Sequence, residues 1–220
     1  MSAGTYASLV DLAAGLLLLS AVLVVWRRDL RAATRLLAVQ GAALGAIPVL
    51  AGIRARDAHL LVVGAAVIAL RAVVFPRLVA ARLRGAPSHD REGAPVVNTA
   101  TSLLVTALLV TAAYALGGSL VHAGPSSSAR AAPVGFALVL VGVFLLATRR
   151  HALSQVVALL LLDNGIDAVA FLASHGVPPV VELGASLDVL LAIVILGVLA
   201  GRMHEKFGGT DLDDLRELHE

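Results

Sequence analysis

Long apolar runs separated by short polar connections dominate the chain. A helix needs about 20 apolar residues to cross a bilayer. Seven segments are of about this length: 6–26, 34–53, 58–80, 97–117, 132–148, 151–174 and 179–201. The pattern predicts an all-α, polytopic membrane protein with about seven transmembrane helices. These helices are expected to form a single domain over residues 1–201, followed by a polar tail over 202–220.

Basic residues are concentrated in alternate connections and in the tail. They are Arg27, Arg28, Arg31 and Arg35; Arg82, Arg84 and Arg91; Arg149 and Arg150; and Arg202, Lys206 and Arg216. The remaining connections carry only Arg54, Arg56 and Arg130. Since cytoplasmic loops are enriched in arginine and lysine, the N-terminus is predicted to lie outside the cell and the C-terminus in the cytoplasm.

The composition supports this class and excludes several chemistries. Hydrophobic residues make up 59% of the chain, charged residues 15%, and the mean hydropathy is +0.91. The absence of cysteine excludes disulfides, thiolate metal sites, iron–sulfur clusters and thiol nucleophiles within the chain. No two histidines have ligand spacing with a carboxylate, so neither a metal nor a cofactor is predicted. The net charge of +2 follows the topological pattern, and no nucleic-acid partner is predicted.

Four carboxylates lie inside the last two apolar segments. Asp163 and Asp167 belong to segment 151–174, and Glu182 and Asp188 belong to segment 179–201. A charged side chain at the bilayer centre costs about 2.5–3.5 kcal/mol on insertion scales, so such groups commonly handle ions or protons. Asp163 and Asp167 are four residues apart and therefore share one helix face. Asp163, Asp188 and Glu182 are predicted to form a proton relay, with Asp167 as a possible member. Alternatively, each carboxylate holds its helix to an arginine or to a neighbouring subunit.

One arginine is a candidate partner for these carboxylates. Arg71 lies deep in segment 58–80, five residues before Pro76, which removes a backbone donor and is expected to kink the helix. Arg71 is interpreted either as a functional group or as a structural counter-ion. Gln40 and Gln155 are possible further members of the relay, or polar contacts between helices.

Several segments resemble the family of component E of hydrogenase-4, a membrane subunit of formate hydrogenlyase-type and other membrane-bound hydrogenases. The match is densest over 149–220, in 153-LSQVVALLLLDNG-165, 181-VELGASLDVLLAIVILGVLAGRM-203 and 208-GGTDLDDLRELHE-220. Upstream, Gln40 and the pair Arg71 and Pro76 also fit the family pattern. The last three predicted spans, 132–201, are in turn similar to the K subunit of complex I-type NADH dehydrogenases.

The resemblance implies a subunit that is not itself redox-active and that contributes to proton translocation or energy coupling. Asp163 and Asp188 would correspond to two intramembrane glutamates of the proton path, with Glu182 at the outer end and Arg71 influencing their protonation. Where the family has Glu-Asn-Gly, this chain has Asp163-Asn164-Gly165, and aspartate is one methylene shorter.

The implied partners are antiporter-like membrane subunits and peripheral hydrogenase-like subunits of an oxidoreductase complex in the bacterial inner membrane. This chain would be a non-catalytic subunit of that complex. Two alternatives remain open from the residues alone. A stand-alone secondary transporter would place its substrate site at broken helices in clear inverted repeats. A purely structural membrane anchor would keep its carboxylates in ion pairs that take no part in proton transfer.

Overall fold

The described chain is a bundle of helices. The computed structural model describes residues 1–27, 29–84, 97–121 and 129–173. Within these ranges the elements are α1 (Ala3–Trp26), α2 (Leu30–Ala55), α3 (Ala58–Val67), a π-helical segment (Ile68–Val74), α4 (Phe75–Arg84), α5 (Thr99–Val121), a 3-10 turn (Ala129–Ala131), α6 (Ala132–Thr148) and α7 (Ala152–Ala173). The predicted all-α class is confirmed over this part of the chain.

Five of these helical stretches are long and apolar enough to cross a membrane. They are Ala3–Trp26, Leu30–Ala55, Ala58–Ala81, Thr99–Gly117 and Leu153–Leu172. They coincide with five of the seven predicted spans, which supports the membrane class. The predicted span 132–148 corresponds to α6, an apolar helix of 17 residues that is shorter than the others. The predicted span 179–201 and the tail lie outside the described residues.

Polar residues in the connections set where the helices begin. Asp29 precedes α2, and its Oδ1 accepts a hydrogen bond from the Arg31 N–H at 2.9 Å. Asp57 precedes α3 and accepts from the His59 N–H, also at 2.9 Å. An N-cap carboxylate of this kind satisfies one of the free N–H groups of the first turn. The two-to-three-residue connections that result fold α1, α2 and α3 back on one another.

The helix α2 lies at the centre of the bundle. It packs against α1 on one side, against α3, the π segment and α4 on another, and against α7. The helices α6 and α7 form a second close pair, and glycine makes their approach possible. A Cβ atom at Gly142 would lie 2.7 Å from Leu162 Cα, and one at Gly165 would lie 2.6 Å from the Val139 nitrogen. Small residues at such contacts let helix backbones approach closely in membranes.

The third predicted span is helical throughout, but its middle is a wide turn. The helix does not end at Pro76, because α4 begins at Phe75 and continues through the proline. The kink expected at Pro76 stays a prediction. The Phe75 N–H donates to the Leu70 carbonyl five residues earlier. This wider register accommodates a proline, which has no N–H to donate and crowds the preceding turn. Wide turns of this type frequently occur at functional sites, and Arg71 lies within this one.

Candidate functional site

The buried guanidinium of Arg71 joins the π segment to α7. Its side chain is 1% exposed, and its Nη1 donates to Asp163 Oδ2 at 2.5 Å and to Asn164 Oδ1 at 2.7 Å. The Nη2 atom forms an ion pair with Asp167. The prediction that Asp163 and Asp167 share a helix face is confirmed, because both carboxylates reach the same guanidinium.

Two side-chain amides extend these contacts to α2 and α1. Asn164 Nδ2 donates to Gln40 Oε1 at 2.9 Å, and Gln40 Nε2 donates to the Leu17 carbonyl at 3.1 Å. We call Arg71, Asp163, Asn164, Asp167 and Gln40 the polar network. It connects the π segment, α7, α2 and α1, and all five of its side chains are buried.

The polar network lies near the middle of the spanning helices. Asp163 is about 15 Å from either end of α7, at 1.5 Å per residue. Arg71 is about 20 Å from either end of the stretch Ala58–Arg84. Buried polar side chains at this depth are costly unless they are satisfied by one another. The mutual hydrogen bonds and ion pairs of the network meet part of that requirement.

A glycine positions the backbone of the buried arginine. A Cβ atom at Gly41 would lie 2.5 Å from the Arg71 carbonyl carbon, 2.7 Å from the Arg71 oxygen and 2.8 Å from the Ala72 nitrogen. The helix α2 and the π segment therefore touch backbone to backbone at this point. Because Gly41 follows Gln40 in the chain, the same contact brings Gln40 and Arg71 to one level of the bundle.

Among the described contacts, two carboxylates share one guanidinium, so these side chains carry a net negative charge when both carboxylates are ionised. One guanidinium carries a single positive charge, and two aspartates share it. An uncompensated charge in a low-dielectric environment costs several kcal/mol. Counted over the described contacts alone, these charges sum to zero when one of the two aspartates is protonated. Two carboxylates on one guanidinium form an arrangement in which one carboxylate can take up a proton.

The structure brings together four of the predicted site residues, namely Arg71, Asp163, Asp167 and Gln40. It places Gln155 elsewhere, near the start of α7, where its Nε2 donates to the Arg149 carbonyl at 3.1 Å. The predicted Glu182 and Asp188 lie outside the described residues.

Two members of the site were missed by sequence reasoning. Asn164 bridges Arg71 and Gln40, and the signal for it was an amide beside Asp163 in an apolar segment. Gly41 supports the arginine through its backbone, and only the adjacent Gln40 pointed to it.

Fold and site together define a multi-helix membrane protein with a buried cluster of one arginine, two carboxylates and two amides. The chain is 54% identical over 220 residues, which is 100% of both chains, to the uncharacterized protein Rv0085 of Mycobacterium tuberculosis. It belongs to the same family as that protein.

More distant relatives carry a functional name. The chain is 23% identical over 215 residues to hydrogenase-4 component E of Escherichia coli K12 and of Shigella flexneri, covering 97% of this chain and 99% of theirs. The resemblance to component E is thus confirmed as a distant, full-length similarity. No family model and no solved structure matches the chain significantly. The similarity of its last third to the complex I K subunit stays a prediction.

Proposed function

We propose that this chain is a membrane subunit of a hydrogenase-like assembly and that its polar network carries protons for energy coupling. The full-length similarity to hydrogenase-4 component E supports the first part. The second part rests on one observation: two carboxylates of α7 share a single buried guanidinium. An ion pair that served only to hold two helices together would need one carboxylate.

In this proposal the aspartate pair alternates between a state that holds one proton and a state that holds none. When the pair holds a proton, Arg71 balances the remaining carboxylate. When the proton leaves, the network carries one excess negative charge, which favours the next proton. Asn164 and Gln40 hold the guanidinium and the carboxylates in register through both states. Thus the excess charge drives reprotonation, while the amides keep the geometry constant.

The path would extend beyond the aspartate pair toward both membrane surfaces. Asp188 and then Glu182, in the apolar segment 179–201, would carry it toward the outer face, and Gln155 lies toward the opposite end of α7. This part of the proposal includes seven crossings, with the N-terminus outside and the tail 202–220 in the cytoplasm. It also treats 132–201 as a unit like the complex I K subunit.

Electron transfer would take place in other subunits, because a chain without cysteine has no thiolate ligands for iron–sulfur clusters. The proposed partners are antiporter-like membrane subunits and peripheral hydrogenase-like subunits of a bacterial inner-membrane complex. The chain itself would be a non-catalytic, proton-conducting component of that complex.

The variant Asp163→Asn tests the proton role directly. It removes the charge of one carboxylate and leaves the ion pair between Arg71 and Asp167, so assembly should be intact. Proton uptake into everted vesicles, divided by the electron-transfer rate of the same vesicles, should fall to background. Asp163→Glu, which restores the glutamate of the resembled family, should retain coupling.

Asp11→Asn is the matched control, since Asp11 is an exposed carboxylate of α1 outside the network. It should leave coupling unchanged. Normal coupling in an assembled Asp163→Asn complex would refute the relay role.

A second candidate function is purely structural: the polar network would act as a pin, that is, a permanent link between helices. The contacts of the network with four helical elements favour this alternative. Under this alternative, Asp163→Asn and Asn164→Leu would lower the yield of assembled complex, while each complex that did assemble would couple normally. Quantifying the subunits by mass spectrometry alongside proton uptake separates the two candidates.

A further inference from the structure

An open groove runs between α2 and the paired π segment and α4. Its cavity volume is about 240 Å³, and its floor is made mainly of small or apolar side chains, including Ala38, Ala72 and Pro76. Arg35 and Arg77 line it from the two facing helices. The groove lies at the arginine-rich end of the bundle, outside the polar network.

The two arginines of this groove have no anionic partner within the described ranges of the chain. Both side chains are exposed. Neither takes part in a hydrogen bond or ion pair there, and the lining of the groove contains no carboxylate. Two like charges facing one cavity repel each other, and an anion between them would remove that repulsion. The charge of the groove is therefore complementary to a negatively charged occupant.

The depth of the groove indicates what kind of anion fits. Arg35 is about 8 Å inside the start of α2, at 1.5 Å per residue. Arginines at this level reach the headgroup region, whereas the apolar floor continues toward the centre of the membrane. A ligand that fills both parts has a phosphate at one end and hydrocarbon at the other. Basic pockets between transmembrane helices commonly bind lipid headgroups of this type.

We propose that the groove binds an anionic phospholipid, whose phosphate lies between Arg35 and Arg77 and whose acyl chain packs on Ala38, Ala72 and Pro76. An acidic segment of a partner protein satisfies the two charges equally well, but it leaves the apolar floor without a matching surface. A free phosphate likewise has no apolar part to cover that floor.

The position of the groove gives the lipid a structural role. Its inner end, at Ala38 and Ala72, adjoins the backbone contact between Gly41 and Arg71. A bound acyl chain packs between α2 and the π segment beside that contact. The lipid thereby supports the helix that carries the buried arginine.

The test is lipid binding to the full-length chain, purified in an uncharged detergent and followed by native mass spectrometry. Phosphatidylglycerol should bind at least tenfold more tightly than phosphatidylcholine with the same acyl chains. Arg35→Gln and Arg77→Gln should each weaken phosphatidylglycerol binding about fivefold, because one basic residue near an anionic surface contributes about 1 kcal/mol. The double variant should weaken binding about 30-fold, since the two effects multiply. Arg130→Gln, an exposed arginine outside the groove, is the control and should bind like the wild type.

Three results would overturn the proposal. The first is equal binding of the two lipids, and the second is unchanged phosphatidylglycerol binding in the double variant. The third is that glycerol phosphate competes as strongly as the lipid, which would make the groove a site for free phosphate esters. Because both arginines are exposed, circular dichroism of the double variant should match the wild type, so lost binding reports the site and not the fold.

Discussion

The contact between Gly41 and Arg71 makes a single methyl group a strong perturbation of the polar network. In Gly41→Ala the added Cβ would lie 2.5 Å from the Arg71 carbonyl carbon, and the atoms it meets are all backbone. No side chain can rotate away to relieve this contact. Ordinary van der Waals contact begins at 3.4 Å, so α2 and the π segment must separate by about 0.9 Å.

The separation has two consequences for stability. Overpacking of a close helix contact typically costs about 1–3 kcal/mol. If Arg71 moves with its backbone, its 2.7 Å hydrogen bond to Asn164 lengthens to about 3.6 Å and is lost. A hydrogen bond to a charged group contributes about 1.5–3 kcal/mol. The gain in helix propensity from alanine offsets at most about 1 kcal/mol. The expected net loss is about 1.5–5 kcal/mol.

The assay is unfolding of the purified chain in mixed micelles by increasing dodecyl sulfate, followed by circular dichroism. The matched control is Gly15→Ala, because a Cβ atom at Gly15 has nothing within 4 Å. The control should be as stable as the wild type or up to about 1 kcal/mol more stable. If Gly41→Ala and Gly15→Ala unfold at the same detergent fraction, the close backbone contact does not support the network and the reasoning is wrong.

Further variants test the other contacts in the same assay. Arg71→Met should destabilise the chain by about 3–5 kcal/mol, because it leaves buried carboxylates without their counter-ion; a loss below 1 kcal/mol would contradict the ion pairs seen here. Asn164→Leu should cost about 1–3 kcal/mol, since it removes the bridge to Gln40, whose Oε1 atom then loses its donor. Gly165→Ala should cost about 1–3 kcal/mol and loosen α6 from α7, because its Cβ would lie 2.6 Å from a backbone nitrogen; a cross-link between these helices that forms as fast as in the wild type would argue against it.

Much of the fold follows from the length of the apolar runs, because a bilayer sets that length. The runs at 6–26 and 34–53 correspond to α1 and α2, with ends that differ by a few residues. The wide turn around Arg71 could not be predicted in the same way. Pro76 predicted an irregular turn in this helix. The sequence did not predict that the hydrogen bonds before the proline would have π-helical spacing, because that depends on the helix packed beside it. Here the neighbour is Gly41, which lets α2 approach the widened turn.

The site was predictable in its charges but not in its connections. Each ionisable group in an apolar segment needs a partner, so Arg71 and Asp163 were predictable as a pair. Spacing along one helix also placed Asp167 on the same face. The amide link through Asn164 and Gln40 depends on the rotation of α7 against α2. That rotation is set by packing of side chains distant in sequence, which apolar segments of similar composition do not reveal.

The number of carboxylates in the polar network distinguishes a proton relay from a structural pin between helices. A pin is most stable when its charges cancel, and one aspartate would cancel Arg71. Adding Asp167 one turn after Asp163 makes the charge depend on a proton, which weakens the network as a permanent link. A chain with a second carboxylate in the middle of its helices has a group that can change its charge. That property matches energy coupling better than anchoring, and it makes the proton held between Asp163 and Asp167 the central feature of the proposed function.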